Sequence, residues 1–190
     1  MLRLILVPLV RDYVFDYLEY WSSEVKESFD KAGIDAEVLV WPAILKPPIN
    51  CFTWSRGQYY SPCILEFIYH EFRDVAGKFL VVGIGYIDAY EKGLNFVFGE
   101  ADPLTGVASV YTKRLDQRFY GEKLDPTLYA ERVVKEIIHE AGHLLGLEHC
   151  INHGCVMNFS NSILDVDAKT KYFCDKCSQR LVESYMSNTK

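Results

Sequence analysis

A mixed α/β sheet is what this chain is patterned to form, on three grounds. Helical and extended patterns alternate through its first half. The run at residues 79–87, FLVVGIGYI, is apolar without interruption, as in a strand buried on both faces. Short extended stretches then precede one long helical stretch and a cysteine-rich end. The 190 residues suit a single domain with its own core.

Residues 2–10 open the chain as a strand. The run is short, contains Pro8, stops at Arg11-Asp12 and offers no small-residue cleavage site, so it does not read as a signal peptide. An amphipathic helix over about 14–32 is closed by Gly33, and a strand at 36–41 carries Val38 and Val40 before Pro42. Pro47 and Pro48 punctuate the following loop. A helix over 62–72 has Ile64, Phe67, Ile68 and Phe72 at helical spacing. After the central strand come two shorter ones, 96–98 and 107–111, separated by Asp102-Pro103 and Gly106.

The long helix spans about 126–145, with Asp125 as N-cap, Pro126 in its first turn and Gly146 placed to end it. Val134, Ile137, Ile138, Ala141, Leu144 and Leu145 make its buried face. A last helix lies around 177–186. The chain therefore divides into a part of about 1–146 and a smaller part of about 147–190 within one domain.

Composition narrows the function classes. Hydrophobic content of 49% with 24% charged residues, and 13 Tyr with 11 Phe, fits a soluble globular protein. A formal charge of −6 disfavours nucleic acid as a partner, because phosphate binding draws on clustered Lys and Arg. No segment reaches membrane-spanning length, so no membrane partner is expected either. The expected location is cytoplasmic, where disulfides are unusual and the six cysteines need another role.

Four of the five histidines fall between positions 139 and 153, within or just after HEAGHLLGLEHC. His139 and His143 are four apart on one helix and project from one face, so both imidazoles can hold one ion. Glu140 lies beside that ion as a base for water. A chain turning at Gly146 brings His149 back as a third ligand. Three histidine ligands leave an open position, the mark of a catalytic rather than a structural zinc site. An isolated His-x-x-x-His would be weak evidence, but Glu140 and Gly146 stand where the chemistry needs them.

Cys150-x4-Cys155 and Cys174-x2-Cys177 have the spacing of a four-thiolate structural zinc site, with two disulfides or buried thiols as the alternatives. His153, between the first pair, is expected at the surface. Cys51 and Cys63 are expected to be small buried hydrophobes without a special role.

The stretch HEAGHLLGLEH resembles the extended metzincin pattern H-E-x-x-H-x-x-G-x-x-H, and with the cysteine after the third histidine and the later C-D-K-C it is similar to the archaemetzincins. The motifs cover about residues 133–177. The resemblance implies a metzincin-like fold with a small zinc-stabilised C-terminal subdomain, a methionine turn at Met157, and two zinc ions per chain, one catalytic and one structural. It implies a zinc metallopeptidase whose Glu140 is the general base, acting on a peptide or protein substrate as a monomer, and a substrate running along a strand near 96–100 (FVFGE). Some metzincins have a tyrosine two residues beyond the turn methionine; here Phe159 offers no oxygen. Two other readings use the same residues: a zinc-dependent peptide-binding protein with little turnover, and an interaction module in which only the cysteines matter.

Overall fold

The computed structural model describes residues 1–10, 14–75 and 77–188; the expected stop at Arg11-Asp12 lies outside them. Strand β1 (Leu2–Pro8) leads to helix α1 (Val14–Lys31) and strand β2 (Ala36–Val40). A short 3₁₀ turn precedes β3 (Phe52–Thr53) and β4 (Gln58–Tyr60). Helix α2 (Ser61–Phe72) follows, then β5 (Leu80–Gly85), β6 (Ala89–Tyr90), β7 (Gly99–Asp102) and β8 (Val107–Tyr111). Helices α3 (Pro126–Leu144), α4 (Ile163–Ala168) and α5 (Asp175–Asn188) complete the chain.

The main sheet has the order β2-β1-β5-β8-β7. Its first four strands are parallel, and β7 joins antiparallel to β8. Strand alternation sorts the side chains into two cores. Leu4 and Leu6 of β1, Val82 and Ile84 of β5, and Ala108 and Val110 of β8 face α1 and α3. Ile5, Val7 and Val81 face α2. In α1 the inward row is Leu18, Trp21, Val25 and Phe29, each at most 2% exposed and each contributing roughly 1.5–3 kcal/mol by burial.

Helix α3 is capped as expected: the Asp125 carboxylate accepts from the N–H groups of Thr127 and Leu128 at 3.0 and 3.1 Å. It ends with Gly146 at φ +85°, while Leu147 N donates back to the Gly142 carbonyl at 3.0 Å. The segment beyond it packs into the same core, through Val156, Met157, Val166, Phe173 and Leu181.

Two sequence expectations are corrected. The strand expected at 96–98 is displaced to β7; residues 96–98 lead into it, with Val97 joined to Ala89 by an isolated bridge. Aromatic alternation marks Phe96 and Phe98 as packers, whereas Gly99-Glu-Ala-Asp gains its extended form from the β8 ladder. The small sheet β3-β4-β6 and helix α4 have patterns too short to stand out. Finally, Cys51 and Cys63 are joined as a disulfide. The chain reverses through β3 and β4 and brings their Cα atoms to 5.4 Å, so they are a staple and not two independent thiols.

Candidate functional site

His139 and His143 stand one turn apart on α3, with ring centroids 4.6 Å apart. The turn after Gly146 carries His149 to within 5.4 Å of the first ring and 4.8 Å of the second. One nitrogen from each imidazole lies within 4.8 Å of the others. Backbone carbonyls set the ring orientations: Nδ1 of His139 donates to Val156 O at 2.8 Å, and Nδ1 of His143 to Leu147 O at 2.7 Å.

With both Nδ1 protons so committed, the two Nε2 atoms are acceptors, and they face each other at 3.1 Å. Two facing lone pairs repel unless a cation lies beside both. A tetrahedral zinc with Zn–N of about 2.0–2.1 Å would separate two ligand nitrogens by about 3.3 Å, close to that distance. The donor set fits zinc.

Glu140 is buried beside this cluster, and its carboxylate lies against Gly99 of β7. Burial pushes its carboxyl well above the usual range; Glu136 and Glu100 push the same way against the Lys169 ammonium. Burial also holds His139, His143 and His149 below the usual histidine range, with Lys169 acting in the same direction. The imidazoles are thereby kept neutral, as ligands must be.

Met157 is fully buried beneath α3, where its sulfur fills the space a side chain at position 142 would need. Phe159 lies 4.7 Å from the His149 ring. The histidines and Glu140 line a cleft of about 1030 Å³ whose other wall is residues 91–101.

Cys150, Cys155, Cys174 and Cys177 converge so that their sulfurs also lie within 4.8 Å of one another. Cys150 Sγ and Cys174 Sγ are 3.8 Å apart. Ligands at about 2.3 Å around a tetrahedral zinc would be separated by about 3.8 Å, so this set fits a closed site. Burial pushes the Cys155 and Cys177 thiols up, so metal entry there must displace protons. His153 is exposed and outside the cluster.

The two clusters are tied together. Cys150 N donates to Met157 O at 2.8 Å, and Asn158 Nδ2 to Cys150 O at 2.7 Å, fixing the residue next to His149. Lys169, fully buried, reaches Glu136 Oε1 at 2.8 Å and Asn158 O at 3.3 Å. Sequence reasoning missed Glu136 and Lys169, and it named Gly99 only as part of the 96–100 segment, without its contact to Glu140. All three carry no local signal, being brought to the site from β7, the middle of α3 and the end of α4.

A family model, Peptidase family M54, matches residues 10–183. The chain is 38% identical over 187 residues to an archaemetzincin of Pyrococcus furiosus, across 95% of this chain and 93% of that one. It is 44% identical over 144 residues to an archaemetzincin of Aeropyrum pernix, across 75% of each. Its fold is similar to the crystal structure of a zinc-dependent peptidase from Methanocorpusculum labreanum, with a TM-score of 0.86 at 30% identity, over 94% of this chain and 99% of that one.

Proposed function

Because the chain belongs to Peptidase family M54, the archaemetzincins, we propose that it hydrolyses peptide bonds with Glu140 as general base beside a zinc ion held by His139, His143 and His149. The observation that carries this reading is the pair of Nε2 acceptors facing each other at 3.1 Å with both Nδ1 protons engaged elsewhere. Zinc held by these three histidines would supply a Lewis acid and lower the pKa of water towards neutrality.

The chain's own residues do the rest. Glu140 takes a proton from the attacking water at its carboxylate and gives it to the departing amine. Its burial, with Glu136 and Glu100 close by, raises its affinity for that proton. The carbonyls of Val156 and Leu147 keep both α3 imidazoles aimed at one point, and Met157 packs under them. Residues 1–146 provide the sheet, the cleft wall and α3. Residues 147–190 provide His149 and a second, structural zinc site of Cys150, Cys155, Cys174 and Cys177. The substrate lies along the outer edge of β7, whose other edge is occupied by β8.

Metal content and hydrolysis test this together. Two zinc ions per chain are expected for the wild type and one for His139→Ala, with peptide cleavage by the wild type and none by Glu140→Gln. Cleavage that survives Glu140→Gln removes the assigned base. A wild type that binds peptides without cleaving them favours a binding protein instead.

A further inference from the structure

One wall of the cleft, residues 91–98, is poorly supported by its own backbone. Val97 N donates to Ala89 O at 3.0 Å and Leu94 N to Glu91 O at 3.0 Å, while Phe98 O accepts from Tyr111 N at 2.8 Å. Side chains from other elements supply what the ladder does not. Arg56, in the turn between β3 and β4, donates Nη2 to Leu94 O at 3.3 Å and to Asn95 O at 3.0 Å. Its guanidinium lies 4.1 Å from the Tyr90 ring centre, and its Nε donates to Gln58 Oε1 at 3.0 Å. Gln58, buried, donates Nε2 to the same Asn95 carbonyl at 3.0 Å.

The wall is gripped from a second direction by Arg114, whose guanidinium sits 4.4 Å from the Phe96 ring centre and is held by both oxygens of Asp88 at 2.6 and 2.9 Å. The Arg56 turn is itself anchored, because the disulfide from Cys51 to Cys63 fastens the chain just before β3 to the start of α2.

We propose that Arg56 and Gln58 are positioning residues for the bound peptide: by holding the carbonyls of Leu94 and Asn95 they fix the cleft wall before substrate arrives, and the disulfide keeps their turn in place. Arginine suits the task because its Nη2 amino group alone presents two N–H donors to the two carbonyls, Nε stays free to bond Gln58, and the group never loses its charge. A wall ordered in advance does not have to be ordered on binding, so its loss weakens substrate binding more than the chemical step. This deepens the peptidase reading and rests on it for the identity of the ligand.

The test compares zinc-loaded wild type, Arg56→Gln, Arg56→Lys and the double variant Cys51→Ser/Cys63→Ser. Amide hydrogen exchange is followed by mass spectrometry over residues 91–98, with α3 as the control for an intact fold. Exchange in 91–98 should rise about tenfold in Arg56→Gln and in the double variant, and less in Arg56→Lys, while α3 is unchanged. With an internally quenched peptide that the wild type cleaves, KM should rise about fivefold and kcat should hold. Unaltered exchange in 91–98 overturns the proposal, as does faster exchange with unchanged KM, which leaves the clamp a purely structural role. If the wild type cleaves no peptide, the peptidase reading falls, and the exchange result still judges the clamp.

Discussion

Gly99 and Glu140 meet so closely that a methyl group on Gly99 would stand 2.5 Å from the Glu140 Oε1 atom. The first residue of the edge strand thus has no side chain because the proposed base occupies the space. Gly99→Ala must move either β7 or the carboxylate. Since a displacement of about 1 Å at a reacting group can cost on the order of a hundredfold, kcat/KM is expected to fall by about 10–100-fold. Zinc content should not change, because no histidine is touched; metal analysis beside the kinetics checks both halves.

The Lys169–Glu136 pair makes a second prediction. Both side chains are at most 3% exposed, and the 2.8 Å contact is a charge pair without good hydrogen-bond alignment. Removing one member strands a buried charge, at a cost of roughly 3–5 kcal/mol, while replacing both with apolar groups is often neutral. Lys169→Met and Glu136→Leu should each lose about that much stability in denaturant unfolding, and the double variant should recover most of it. Additive losses would mean that the two side chains act separately.

The four clustered cysteines should control the histidine site at a distance. Cys177→Ser removes no proposed ligand of the catalytic zinc, yet it loosens the Cys150 segment that fixes His149. The expected result is loss of one zinc and at least about a tenfold fall in activity, in line with losses on disturbing groups that orient ligands. Full activity in a one-zinc protein would show that the sulfur site does not govern His149.

Acid should open the join between α1 and the segment before α5. Glu27 accepts from Lys31, Lys171 and Tyr172, in that order of effect, and these hold its carboxyl at about 2, below the ordinary 4.5. A carboxyl depressed in the folded state contributes stability that is complete above its unfolded value and is lost as pH falls through the folded one. The contact between Lys171 and Glu27 should therefore weaken between about pH 4.5 and 2. Hydrogen-exchange protection over residues 170–174, taken relative to the intrinsic amide exchange rate at each pH, should fall across that window in the wild type and change less in Glu27→Gln.

What the sequence by itself determined are the features that repeat over a few residues. The four-residue interval between His139 and His143 puts both rings on one face of any helix, Asp125 and Gly146 bound that helix, and the cysteine spacings make two chelating pairs. The central strand declared itself through unbroken apolar character, and the amphipathic period of residues 14–32 marked α1 as a helix with one buried side, which the structure fills with Trp21 and Phe29. Tertiary structure decided the rest: that Cys51 meets Cys63, that Gly99 makes room for Glu140, that Lys169 comes under α3 to Glu136, and that β7 and not residues 96–98 forms the sheet edge. Each of these joins residues from separate elements. Local spacing encodes which way a side chain points along its own helix or strand, whereas such meetings depend on how several elements pack at once.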